Sequence, residues 1–481
     1  MQNPSRRRFL LQSSALAALT SVNGLSLIAQ QAHRTDPRAW VTAGSRRFAP
    51  LAVGSWIPSA SPAPGAVTID PARRFQSILG FGGAFTGASC YLFNQMPADA
   101  RHTLLQDLLG PSGLRLSVGR TCIGSSDYSR TAYSFDDSPT PDPELTHFSI
   151  DHDRAYILPT LREAIAVNPE LFLFSAPWSP PGWMKANHSL LGGSMQKKYF
   201  AAYAQYFVKF LQGYKQAGVP ISAVTSQNEV DTGQDGRMPA CIWGQEYEIA
   251  FVRDFLGPAL HAAGIDTKIW LLDHNYNLWG RVLDELADPE LARWVEGVAW
   301  HGYMGSPDAM TRVHNAYPSK STYWTEGGPD ITDPKYATDW AMWSGTFSGI
   351  LKNWARCIVS WNLLLDEHGK PDIGPFSCGG LVTLNSKTHE ITRSGQYWAF
   401  AHYAKAVQRG ARVLASSGGA FGIDHAAFLN PDGSYVLVLT NQSEERAIEC
   451  RIQGQIQDHA LQLTLPRDSI VTLQWSAPDL S

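Results

Sequence analysis

Two glutamates stand where chemistry could be done. Glu229 follows the apolar run 221–226, and Glu326 follows the run 321–325, 97 residues away. Each sits just past a short stretch of strand type, where a side chain is aimed by a rigid element. Hydrolysis of a glycosidic bond needs such a pair. One carboxyl protonates the leaving oxygen, and the other attacks the anomeric carbon or activates water. Either glutamate alone reads equally as a salt-bridged structural carboxylate; the pair, with aromatics at neighbouring run ends, points to catalysis. Asn228, directly before Glu229, could donate to a sugar hydroxyl or simply cap backbone. Trp178 and Trp361 end two further runs and offer indole faces to the apolar C–H face of a pyranose, unless they are core aromatics. His301 and Tyr303 could orient a glutamate or hydrogen-bond to it; the competing reading is a satisfied core histidine beside a core tyrosine.

Eight short apolar runs carry these residues: 77–82, 114–121, 171–175, 221–226, 268–272, 297–300, 321–325 and 357–361. Most do not alternate, as suits strands buried on both faces. Amphipathic helical patterns lie between them, the clearest over 196–217, where Tyr199, Tyr203, Tyr206, Phe207, Phe210 and Tyr214 share one face. Others cover 98–109, 154–166, 245–263 and 278–296. Eight alternations predict an α/β chain folded as a (β/α)₈ barrel, in which functional groups stand at the C-terminal strand ends. A doubly wound sheet has a similar rhythm. Every run is followed by polar or aromatic residues: Gly82-Gly83-Ala84-Phe85, Ser126-Asp127-Tyr128, Pro177-Trp178, Asn228-Glu229, Asp273-His274-Asn275, His301-Gly302-Tyr303, Glu326-Gly327-Gly328 and Trp361-Asn362. After about residue 411, short β runs with turns such as Pro431-Asp432-Gly433 predict a C-terminal β-sandwich.

As a set these segments resemble glycoside hydrolase family 30, the family of glucosylceramidase and β-1,6-glucanase. Gln76 to Ala84 is similar to its opening strand, and Ser126-Asp127-Tyr128-Ser129 to the segment whose Asp binds the terminal sugar. Ala176-Pro177-Trp178-Ser179-Pro180-Pro181-Gly182-Trp183-Met184-Lys185 resembles the third-strand signature, with Trp178 at the sugar-binding position. Gln227-Asn228-Glu229 matches the acid/base segment, Trp324-Thr325-Glu326 the nucleophile segment, and Ser360-Trp361-Asn362 the eighth strand. The resemblance implies a retaining mechanism and a side β-domain assembled from both ends of the chain. The expected parts are then 40–75 and 411–481 for the β-domain and 76–410 for the barrel. The expected glycone is a β-linked glucose held by Asp127, Trp178, Asn228 and Trp361. The expected substrates are a β-glucan, an oligosaccharide or a glucosyl lipid. Two departures concern the aglycone side. Gly328 stands where glucosylceramidase-like members often have Cys, and the Asn of the loop after strand eight is not evident in 371–378.

The first 32 residues predict a signal peptide. A twin arginine within Arg6-Arg7-Arg8 precedes a moderately apolar stretch, resembling a bacterial twin-arginine export signal and implying a periplasmic or secreted protein. No later run of 18 apolar residues exists, so stable membrane insertion is not expected after its removal. A net charge of −4 without basic clusters speaks against nucleic acid. The six cysteines form no CxxC pair and the chain lacks HExxH, so neither metal nor cofactor is expected. Two rivals remain. An exported nicotinamide-dependent oxidoreductase is prompted by the glycines after residue 79, but the dinucleotide fingerprint would need glycine where Phe85 stands. A carbohydrate-binding protein without turnover would be expected to lack a carboxylate, and both are present.

Overall fold

The computed structural model describes residues 37–454 and 457–476; the twin-arginine segment lies outside them. Eight parallel strands close into a barrel: β1 (Gly80–Ala84), β2 (Val118–Cys122), β3 (Phe172–Ala176), β4 (Ala223–Thr225), β5 (Lys268–Asn275), β6 (Val295–His301), β7 (Ser321–Glu326) and β8 (Ala355–Ser360). β8 pairs back onto β1, as the alternating runs predict. All residues of β1, β2 and β4 are buried, which is why these runs carry no alternation. Close approach of β1 to β2 requires Gly82: a Cβ there would lie 1.7 Å from the Val118 carbonyl oxygen. One buried cluster takes Val118, Phe174, Ala223, Trp270, Ala299, Tyr323 and Val359 from seven successive strands, so the barrel interior is packed and is not a pore.

Helices sheathe the barrel. The aromatic helix Phe200–Gln216 buries Tyr203, Tyr206, Phe207, Phe210 and Tyr214. Two helical expectations need correction. Residues 278–296 are not one helix: Trp279–Leu286 stops, Asp288 caps a restart over Pro289–Ala292, and β6 already begins at Val295. The run 245–263 passes through a π turn, Val252–Leu256, just before Pro258, which has no N–H to continue the ladder.

The side domain draws on both ends of the chain. Arg38–Ala43, Arg46–Leu51, Ile57–Pro58 and Val67–Ser77 join six strands between Arg412 and Ser476 in one hydrogen-bonded sheet of ten. The sheet curls over its own core, bringing Trp56 within 5.0 Å of Trp475. His402, buried in the last helix, bridges Thr42 (2.9 Å) and Thr472 (2.8 Å) and ties this domain to the barrel. A three-stranded sheet, Leu364–Asp366, Val382–Leu384 and Ile391–Arg393, follows β8 and was not predicted; three-residue strands show no period. Among the described residues no helix is long and apolar enough to cross a membrane.

Candidate active site

The C-terminal strand ends open into one cavity of about 620 Å³, lined by Asp127, Trp178, Asn228, Glu229, Tyr303, Glu326 and Trp361. Seven of the eight residues singled out in the sequence therefore share one wall. The eighth, His301, is fully buried at the end of β6, between the two glutamates.

Glu326 ends β7 and is held from two sides. Arg120 Nη1 donates to its Oε2 in a close ion pair, and the Tyr303 hydroxyl donates to Oε1 at 3.0 Å. Glu229 follows β4 with a left-handed backbone, φ 52°, a conformation costing about 1–3 kcal/mol in a non-glycine residue and kept by the surrounding bonds. Its N–H donates to the Asp273 carbonyl at 3.1 Å, and its Oε2 accepts from Gln234 Nε2 at 2.9 Å. His301 Nδ1 lies 3.4 Å from Glu229 Oε1 and 3.7 Å from Glu326 Oε1, so those two oxygens are at most about 7 Å apart. That bound admits the roughly 5–5.5 Å carboxyl spacing of retaining glycosidases.

Below the pair lies a buried charge network. Asp273 accepts from Arg120 Nη2 (2.8 Å), Thr225 (2.9 Å), Thr325 (2.7 Å) and His301 Nε2 (3.0 Å). Burial alone would raise the Asp273 pKa; Arg120 and these donors pull it far below the carboxylate range. Burial likewise opposes charge on His301, but Glu326, Asp273 and Glu229 outweigh it and raise its pKa to about 9. Glu229 is the surprise. A second carboxylate as near as Glu326 would by itself raise its pKa. Burial does push it up, but the bond and charge of His301, then His274 and Gln234, bring it below its ordinary value. Among the described residues Glu229, His274 and His301 bring ligand-type atoms within 4.8 Å of one another. Charged His301 donates from both ring nitrogens and has no lone pair for a metal.

Asp127 and Trp178 behave differently from each other. Asp127 is 4% exposed and its Oδ1 has no hydrogen-bond partner, so one oxygen is unspent at the cavity. Its backbone carbonyl accepts from Ile373 N–H at 2.7 Å, clamping the 371–378 loop beside it. Trp178 and Trp361 stack on each other, centroids 5.2 Å apart, and Arg120 packs 4.9 Å over Trp178. Each indole is 2% exposed, so little free face is left for a sugar; as the structure stands, they wall the cavity rather than offer open platforms. Asn228 Oδ1 accepts from Arg120 Nη2 at 2.8 Å, which leaves its amide nitrogen as the group available to a ligand. At Gly328 a Cβ would come within 2.9 Å of the Trp361 carbonyl oxygen, so this backbone holds no side chain where a Cys was expected in glucosylceramidase-like chains.

Arg120 was missed. It lies inside β2, and attention to residues after each run passes over it. The signal was present: an arginine inside an apolar, doubly covered strand is buried only if paired. Asp273 and His274 stood in the fifth strand-end motif without a role, and Asp231 and Gln234 belong to the polar loop after Glu229.

Residues 78–407 match the Glycosyl hydrolase family 30 TIM-barrel domain, and 410–473 the Glycosyl hydrolase family 30 beta sandwich domain. An Endo-1,6-beta-D-glucanase of Neurospora crassa is 35% identical over 402 residues, covering 78% of this chain and 81% of that protein. The Lysosomal acid glucosylceramidase of Mus musculus is 28% identical, over 79% of this chain and 78% of that one. A solved endo-beta1,6-glucanase superposes with a TM-score of 0.82 at 29% identity, covering 92% of this chain and all of that structure. The chain belongs to glycosyl hydrolase family 30 and is an O-glycosyl hydrolase.

Proposed function

We propose that the protein is an exported, retaining β-glucosidic hydrolase acting on β-glucan, foremost β-1,6-linked, by double displacement. The observation that carries this reading is the pair of glutamates on β4 and β7 facing one imidazole nitrogen, with a buried arginine on one of them only. Glu326, held by Arg120 and Tyr303, is the nucleophile; it attacks the anomeric carbon and forms a glycosyl ester. Glu229 gives its proton to the departing oxygen, then takes one from the water that cleaves the ester. The lowered Glu229 pKa fits this cycle because the acid proton is shared. With His301 charged, Glu229 is a carboxylate; moving the Nδ1 proton across gives neutral His301 and protonated Glu229 at the same net charge. Entry of a sugar expels water and favours the neutral pair.

Asp127 and the Asn228 amide bind glycone hydroxyls. Two observations support a glucan over a glucosyl lipid. Gly328 replaces the expected Cys. Three fungal Endo-1,6-beta-D-glucanases are 33–35% identical to this chain, whereas the murine glucosylceramidase is 28% identical. The twin arginine supports export. The test is digestion of β-1,6-glucan, β-1,3-glucan and glucosylceramide with product sizing. Oligosaccharides released from β-1,6-glucan are expected; turnover of glucosylceramide with none of any glucan would overturn the substrate.

A further inference from the structure

A second histidine faces Glu229, and neither the family mechanism nor the site as described uses it. Near its C-terminal end β5 carries two consecutive left-handed residues, Leu272 (φ 71°) and Asp273 (φ 48°), and its pairing with β6 skips Asp273: Ala299 faces Leu272 and Trp300 faces His274. This bulge adds one residue, so Asp273 reaches Arg120 under the site while the next residue, His274, also reaches the site. His274 Nε2 is bonded to Asp231 Oδ1 at 2.6 Å, and Asp231 lies two residues past Glu229 on the same loop. His274 Nδ1 is buried, has no hydrogen-bond partner, and sits 3.7 Å from Glu229 Oε1. The Asp231 side chain is 44% exposed and His274 only 7%, so the dyad runs from solvent to Glu229.

We propose that His274, anchored by Asp231, is a positioning residue that sets the ionisation of Glu229 and with it the alkaline edge of activity. This rests on Glu229 being the acid/base. A positive ring opposite Glu229 Oε1 favours its carboxylate, and a neutral ring with its Nδ1 lone pair there favours its protonated form. The 2.6 Å bond to Asp231 fixes the ring so that no other group competes for Nδ1. Other groups facing Glu229 are Gln234 on its own loop, His301 at the end of β6 and Tyr303 after it, Glu326 at the end of β7 and Asp127 after β2. Of these His301 is fully buried and held in place by Asp273 and Glu326, so His274 is the imidazole joined to bulk water through its partner. The charge His274 can carry lies on the side of Glu229 that pulls its pKa down, in accord with this geometry.

The experiment is the pH profile of kcat/KM for phenyl and dinitrophenyl β-glucosides. Phenol is a poor leaving group and needs the acid; dinitrophenol does not. His274→Gln should move the alkaline limb on the phenyl substrate upward by about one pH unit, with the dinitrophenyl profile unmoved on that side. Asp231→Asn keeps an acceptor for the ring but removes its charge, so its alkaline limb should also move, by less. A His274→Gln enzyme that folds, loses activity evenly at every pH and keeps its limb would overturn the proposal. If that variant does not fold, an unmoved limb in Asp231→Asn overturns it instead. Glu229→Gln separates the two layers. If it retains the alkaline limb, the acid/base assignment is what fails. If it loses the limb while His274→Gln leaves the limb in place, the role of His274 is what fails.

Discussion

Replacing Asp127 by asparagine should move stability and activity in opposite directions. The side chain is 4% exposed and Oδ1 is unpartnered. Burial first, then Glu326 and Glu229, push its pKa well above the ordinary value. In the unfolded chain an aspartate ionises near pH 3.9. Above that pH the unfolded state gives up the proton more readily than the folded one, so wild-type stability falls as pH rises toward the folded pKa. Asparagine does not titrate, and burying a neutral amide costs less than burying an unpaired carboxylate, a penalty of roughly 1–3 kcal/mol. Asp127→Asn should therefore unfold at higher temperature than wild type at pH 7, with the gap closing at about pH 3.5. The same oxygen is the acceptor for glycone hydroxyls. Charged hydrogen bonds contribute about 1.5–3 kcal/mol, so kcat/KM on an aryl β-glucoside should fall about one to two decades. Thermal unfolding at the two pH values, with initial rates on that glucoside, measures both. A lower melting temperature that persists at low pH would show that Asp127 is a satisfied structural group. An unchanged kcat/KM would remove it from the glycone site.

Other expectations follow from the same network. His301 has its pKa raised from 6.5 to about 9, so its contribution is whole below pH 6.5 and is lost as pH rises through about 9. His301→Gln should cost on the order of 3 kcal/mol at pH 6, and melting curves of the two proteins should converge by about pH 9.5; a constant gap would refute the assignment. Asp273→Asn removes one partner of a buried pair with Arg120 and should cost about 3–5 kcal/mol, read as a large fall in thermal stability together with lost turnover; a folded variant of unchanged stability would refute it. Gly328→Ala places a Cβ 2.9 Å from the Trp361 carbonyl oxygen and should lower kcat/KM by displacing the β8 end; unaltered kinetics would show that this rim yields freely.

The barrel was legible because doubly covered strands carry dense apolar runs and each ends in polar residues that nothing but a site requires. Glu229, Glu326 and Asn228 were found by that rule alone. His301 and Tyr303 were placed by it too, in the role of orienting a glutamate: Tyr303 donates to Glu326 and His301 lies between both. What escaped lay elsewhere in the geometry. Arg120 points inward from within a strand, so no strand-end rule reaches it. Asp273 and His274 take their roles from a bulge made by two left-handed residues of which neither is glycine, and no residue type announces that conformation. Against burial, the pKa of Glu229 is lowered chiefly by two histidines, His301 and His274, whose approach to it the spacing along the chain does not record. Trp178 and Trp361 were expected as open platforms; their mutual stacking depends on the β3 and β8 ends meeting in space, which spacing along the chain does not record.

The division of labour between Glu229 and Glu326 is the central claim, and azide rescue tests it most directly. Each glutamate is replaced by alanine, azide is added with a dinitrophenyl β-glucoside, and the glucosyl azide is identified by proton NMR. With Glu326 as nucleophile, Glu326→Ala leaves a space on the face opposite the leaving group and yields the α-azide. Glu229→Ala still forms the glycosyl ester, which azide opens to the β-azide. An α product from Glu229→Ala, or a β product from Glu326→Ala, would reverse the roles and contradict the account.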